Sequence, residues 1–415
     1  MPTSLLRVAT AGSVDDGKST LVGRLLYDSK SVLADQLAAV EEASRRRHGA
    51  GAADLALLTD GLRAEREQGI TIDVAYRYFA TGKRRFILAD TPGHVQYTRN
   101  MVTGASTAEL LILLVDARKG IVTQTRRHAA VAALLRVPHV VLAVNKMDLV
   151  GYDEATFAAI AADFATLAED VGLSEIAAVT AIPVSAADGD NVATPADTMP
   201  WYGGPTILEL LETVASGDDL VGSPMRLPVQ YVIRSGRHRA YAGQLAGGVL
   251  RVGERVTVLP ECRSTTVAAI DLLGTSVPMA WAPQSVSVRL ADDVEVGRGD
   301  LIAPAHTAPE PVSEVRATVC QLDDRPLRVG EKVELRHGTR SVPAVVQDVE
   351  PSPELGDLSC APGADRLAVN EIGRVLLRTA QPVVLDTYAT SRQTGSCLLV
   401  DPDGGATLAA GIVTH

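Results

Sequence analysis

Residues 12–19, GSVDDGKS, constrain this chain more than any other stretch of it. They fit G-x-x-x-x-G-K-[ST], and they lie between a short β-rich run, LLRVATAG, and a run at helical spacing, KSTLVGRLLYDS. Strand, glycine turn and helix is the setting in which this pattern wraps a phosphate chain. Gly12 and Gly17 let the backbone N–H groups of Ser13, Val14, Asp15 and Asp16 turn inward. The start of the helix, at Lys18, Ser19 and Thr20, adds partial positive charge. Lys18 would neutralise β- and γ-phosphate charge, and the Ser19 hydroxyl would be a Mg2+ ligand. A nucleoside triphosphate site is therefore expected at the first strand–helix junction.

The rest of the first half supports that architecture. RRFILAD, AELLILLVDA, HVVLAVNKMD and AVTAIPVSA read as strands, with ITIDVAYRYFA paired to the first of them. QTRRHAAVAALLRV, DEATFAAIAADFATLAEDVGL and TILELLETVA read as helices. The alternation predicts an α/β domain with a mostly parallel sheet and helices on both faces, its ligand at the carboxyl ends of the strands. Around Gly222 helical patterns almost vanish. LPVQYVIR and the segments after it predict short strands and turns, hence two β-barrel domains. AGGV and HGTR are expected as hairpin turns, and APEPVSE as a linker. With 415 residues, at ~100–200 residues per domain, the expected division is 1–222, 223–308 and 309–415.

Four short patterns beyond the first narrow the nucleotide. NKMD, residues 145–148, closes a buried strand. Asp148 there can accept two hydrogen bonds from the N1–H and exocyclic amine of guanine. Adenine lacks that donor pair and would leave the carboxylate unpaired. Asn145 shares the loop, and the aliphatic stem of Lys146 can cover the base plane. SAADGDNV follows the next strand, where Ser185 and Ala186 are candidates for a main-chain contact to the base oxygen. Asp90 ends a strand and begins DTPGH; it suits a carboxylate reaching Mg2+ through water, while Gly93 lets a backbone N–H approach the γ-phosphate. In EREQGITID, Thr71 is placed to close over Mg2+ and the γ-phosphate.

With these residues in place, the chain resembles the translation-factor class of GTPases, a GTP-binding domain followed by two β-barrels. That resemblance implies a role for His94, directly after Gly93: it orients the water that attacks GTP, with Val14 and Ile70 at the positions that gate it. Longer stretches, DGLRAEREQGITIDVAYRYF, DTPGHVQYTRNMVTGAST and MPWYGGPTILELLE, are similar to the GTPase subunit of bacterial sulfate adenylyltransferase. Ser13, Ala187 and RSGRHRAYAG depart from its usual pattern. This second resemblance implies that GTP hydrolysis, with Mg2+, is coupled to making adenosine 5′-phosphosulfate and pyrophosphate from ATP and sulfate. The anhydride itself would be made by an ATP-handling partner subunit, because no second phosphate loop, S-G-G-x-D-S or H-x-G-H motif occurs here and no room is expected for a fused adenylylsulfate kinase. A translation-factor GTPase delivering aminoacyl-tRNA or acting on the ribosome is the alternative.

Composition weighs against that alternative. The formal net charge is −11, which disfavours a broad nucleic-acid surface. Apolar runs are of strand length, too short to span a membrane, and no signal pattern opens the chain, so the cytoplasm is the expected compartment. Cys262, Cys320, Cys360 and Cys397 show no C-x-x-C spacing and are expected as free thiols. ADQLAAVEEASRRRHGAGAADLALLTDG reads as a helical insertion whose Arg45–Arg47 run is a solvated helix end.

Overall fold

The computed structural model describes residues 5–30, 55, 74–91, 98–215, 220–235, 238–352, 355 and 359–414. The insertion with Arg45–Arg47, apart from Leu55, and Ile70, Thr71, Gly93 and His94 lie outside these described residues. The chain divides into two compact units, Met1–Asp218 and Asp219–His415.

In the first unit the chain runs β1 (Leu5–Gly12), α1 (Lys18–Asp28), β2 (Ala75–Ala80), β3 (Arg85–Asp90), α2 (Thr98–Ala105), β4 (Leu110–Asp116), α3 (Thr123–Leu134), β5 (His139–Asn145), α4 (Glu154–Asp170), β6 (Ala178–Pro183) and α5 (Ile207–Thr213). The sheet order is β2-β3-β1-β4-β5-β6. The β2–β3 pair is antiparallel and the others are parallel. From β1 the sheet extends one way through β3 and β2, and the other way through β4 to β6. The crevice at the carboxyl end of β1 is thus the place where such a sheet receives a ligand.

Every residue of β4 is buried, as a strand covered on both faces requires. Leu110, Ile112 and Leu114 join one core with Leu21 and Leu25 of α1 and Ile207 and Leu211 of α5. Leu111, Leu113 and Val115 alternate to the opposite face. Helix α3 packs on β4 and buries Ala129, Ala130, Ala132 and Ala133; small side chains let a helix approach a sheet closely. Helix starts are locally encoded. Asp153 accepts from the Thr156 N–H at 2.8 Å ahead of α4. Ahead of α5, Thr206 Oγ1 accepts from Glu209 N at 3.2 Å while Glu209 Oε2 accepts from Thr206 N at 2.9 Å, a reciprocal cap.

The second unit is β-rich, as the sequence predicts. Leu227–Pro228, Leu301–Pro304, Arg255–Leu259, Arg263–Leu272, Ser285–Leu290, His238–Gln244 and Tyr231–Ser235 form a sheet in that order. The two ends of this sheet share one core: Leu227 and Ile302 belong to it together with Tyr241 and Val288. Val312–Gln321, Ile372–Val383, Arg340–Pro351, Lys332–His337, Ser396–Val400 and Thr407–Val413 close into a barrel around Val319, Leu335, Leu377 and Leu399. HGTR is a tight hairpin, with His337 opposite Arg340 and Gly338 at φ 54°.

AGGV is not a hairpin turn. The strand before it pairs with Tyr231–Ser235 and Ser285–Leu290, whereas Val249–Arg251 after it pairs with Met279–Trp281. Gly248 is glycine because of a close approach: at φ 68° its Cβ would lie 2.5 Å from Met225 Cα. Crowding, rather than a reversal of direction, selects the glycine.

The two β-rich parts of this unit are joined by polar bonds. Arg226 Nε and Nη2 each donate to Asp386 at 2.9 Å, and Thr394 Oγ1 donates to the same carboxylate at 2.6 Å. Both charged side chains are buried. Thr339 Oγ1 donates to Val229 O at 2.9 Å, and Arg340 pairs with Asp300 at 3.3 Å. Cys262 is exposed, and Cys320, Cys360 and Cys397 are buried free thiols. Among the described residues no helix is long and apolar enough to cross a membrane.

Candidate nucleotide site

The loop from β1 to α1 turns on glycine. Gly17 has φ 95°, and a Cβ there would sit 2.3 Å from Asn145 Nδ2. Lys18 folds back over the loop, its ammonium donating to Gly12 O and Ser13 O at 2.8 Å each. Burial lowers the Lys18 pKa, and the nearby charges of Asp90, Asp16 and Asp15 oppose that shift. Asp16 Oδ2 accepts from Ser13 N at 2.6 Å and so shapes the loop from inside; burial raises its pKa. No side chain caps α1, and the N–H groups of Lys18, Ser19 and Thr20 have no carbonyl partner in its first turn. An uncapped helix start beside a buried ammonium suits a polyanion.

Asp90 ends β3 in register with Thr10 of β1. Thr10 Oγ1 donates to Asp90 Oδ1 at 2.8 Å, and Thr91 Oγ1 donates back to Thr10 O. The acid is therefore fixed beside the phosphate loop. Ser19 and Asp90 suit a hard divalent cation, whose preferred donors are oxygens. Among the described residues no group of three or more His, Cys, Asp or Glu side chains could hold a metal by itself.

Asn145, at the end of β5, ties the base-side loops to the phosphate loop. Its Nδ2 donates to Asp16 O at 2.7 Å, and its Oδ1 accepts from Ala186 N at 3.0 Å. The Ala186 amide is thus turned to Asn145 in this structure. Ser185 Oγ donates to Asp188 at 3.0 Å. Lys146 adopts φ 66°, and its ammonium reaches Asp15 O and Asp116, the latter at 3.0 Å. The ammonium is therefore held between two acceptors. Asp148 is half-buried, and among the described residues its carboxylate makes no hydrogen bond or ion pair. That vacant acceptor fits the paired donors of guanine.

The model of the elongation factor Tu GTP binding domain matches residues 3–217, and that of the GTP-eEF1A C-terminal domain-like family matches 314–414. The bifunctional enzyme CysN/CysC of Mycobacterium tuberculosis is 54% identical over 417 residues, covering 99% of this chain and 67% of that protein. Sulfate adenylyltransferase subunit 1 is 47% identical in Laribacter hongkongensis and 46% in Shewanella oneidensis, each covering 99% of this chain and 85% of theirs. The chain belongs to the sulfate adenylyltransferase subunit 1 family of GTPases. A crystal structure of sup35 complexed with GMPPNP aligns over 99% of the chain at 22% identity, with a TM-score of 0.45.

For a GTPase of this family, the sequence reading did not include Arg24, Asp116 or Arg118. Arg24 of α1 reaches across to Ala186 O at 3.3 Å and to Ala187 O, so the phosphate-side helix clamps the base-side loop. Asp116 ends β4 opposite Asn145 of β5 and binds Arg118 through Nε at 3.0 Å and Nη2 at 2.7 Å. Burial alone would raise the Asp116 pKa, but hydrogen bonds from Arg118 and Lys146 outweigh it and hold the carboxyl below the usual carboxylate range. A signal for Asp116 was present: Asp90, Asp116 and Asn145 are each the polar last residue of a buried strand.

Proposed function

We propose that this chain hydrolyses GTP to drive synthesis of adenosine 5′-phosphosulfate and pyrophosphate from ATP and sulfate on a partner subunit. The observation that carries this reading is identity of 46–54% over nearly the whole chain to proteins named sulfate adenylyltransferase subunit 1 or CysN/CysC. The open Asp148 carboxylate and the phosphate cradle supply the chemistry it needs. Lys18 and the α1 amides hold the phosphates, Asp148 reads guanine, and Asn145 binds the two loops into one pocket. Mg2+, when bound, neutralises phosphate charge, with Ser19, Thr71 and Asp90 as its residues. Gly93 offers a backbone N–H to the γ-phosphate, and His94 orients the attacking water. Three domains, 1–222, 223–308 and 309–415, carry out this work in the cytoplasm, where GTP and ATP are available.

A sulfate–phosphate anhydride is high in energy, so its formation needs a second source of free energy. GTP-dependent ordering on this chain biases the partner towards a productive state, and hydrolysis resets it. The test mixes purified chain with the ATP-handling subunit, ATP and sulfate, and separately with ribosomes. GTP hydrolysis stimulated only in the first mixture, with adenosine phosphosulfate appearing in step, is the expected result. Stimulation by ribosomes alone would establish the translation-factor reading instead.

A further inference from the structure

The rim of the base pocket carries two cations, Lys146 and Arg118, and two carboxylates, Asp116 and Asp148. Yet only one carboxylate is used. Asp116, with no exposed side-chain surface, takes Arg118 through Nε, Nη2 and the backbone N–H, and Lys146 through Nζ. Asp148 takes neither, although its charge acts on Arg118. We propose that Asp116 is a charge decoy: it captures both rim cations and so leaves the Asp148 carboxylate open for the guanine edge. This rests on the nucleotide reading above and adds a specificity-determining residue to it.

The physical need is direct. Opposite unit charges in near contact attract appreciably at the effective dielectric of a protein surface. A guanidinium released near Asp148 would be drawn to it, and a carboxylate engaged by the fork of an arginine cannot also accept both donors of guanine. Lys146 lies two residues before Asp148 and would compete in the same way. Asp116 prevents this from the end of the neighbouring strand. There the β4–β5 register and the bond from Ala117 N to Asn145 O at 2.8 Å fix its distance from the base loop. Asp116 is thus a positioning residue, acting on the base through the cations that it restrains.

The test measures GDP binding by calorimetry in the full chain with Mg2+. Asp116→Asn should weaken binding about tenfold or more. Adding Arg118→Ala to that variant should recover most of the loss, because the freed cation is gone. The defect should also shrink in 1 M salt, where the screening length falls to about 3 Å. A second pair, Asp148→Asn with and without Asp116→Asn, is titrated with xanthosine diphosphate. A neutral amide attracts neither cation, so the two should agree within about twofold. Wild-type GDP binding in Asp116→Asn overturns the proposal. So does an absence of recovery in the double variant, or a xanthosine diphosphate loss as large as that for GDP, which would make Asp116 a structural residue only. A wild-type chain that binds no GDP overturns the nucleotide reading itself.

Discussion

Asn145 shows how one side chain can make two loops answer to the same ligand. Its amide spans the phosphate loop at Asp16 O and the base loop at Ala186 N. A disturbance at either end of the nucleotide is therefore felt at the other. The role proposed for Asp148 is simpler, the lending of a charge. Asp148→Asn should lower GTP affinity on the order of 100-fold or more and raise affinity for xanthosine triphosphate, because the base donors lose their acceptor; competition binding with both nucleotides checks it. His94→Ala should keep GTP binding and slow hydrolysis on the order of 100-fold, read by single-turnover assay. Turnover near wild type would remove His94 from the water-positioning role. At this scale the placement of Lys18, Asp90 and Asn145 at strand and helix ends was legible because their spacing is local. Arg24 was not: it meets Ala186 across 162 residues, just as Lys146 reaches the Asp15 carbonyl across 131. No window along the chain contains both ends of either contact.

The turn between β1 and α1 depends on backbone shape as much as on side chains. Gly17 sits at φ 95° against Asn145 Nδ2, so Gly17→Ala adds backbone strain and pushes the Asn145 amide off Asp16. We expect a stability loss of about 1–3 kcal/mol and a larger loss of GDP affinity than of fold. Denaturant unfolding with and without GDP separates the two, and equal losses would show that the glycine matters only to folding. The elements themselves were readable from period and punctuation: α4 and α5 begin at Asp153 and Thr206, both good caps. The glycines of AGGV and HGTR were harder. Each looks like a reversal in sequence, but Gly248 is required by the nearness of Met225, and only a folded neighbour distinguishes those causes.

In the whole molecule, the β-rich unit is held by a buried ion pair between Arg226 and Asp386, 160 residues apart. Removing one partner strands the other without water. Arg226→Ala should therefore cost about 3–5 kcal/mol, measured by urea unfolding of the full chain followed by near-ultraviolet dichroism. A cost under ~1 kcal/mol, the ordinary range for a surface pair, would mean that water reaches the site. The alternation of strands and helices forecast the α/β half, and the loss of helical period forecast the β-rich half. This bond could not be forecast, since arginine and aspartate are commonplace on surfaces and only the fold reveals that these two are enclosed. The pair also sets a rule for inheritance. A recombination that grafts one β module from a distant relative brings a strange partner to a sealed charge, so exchange between lineages is viable only where both halves of the contact travel together.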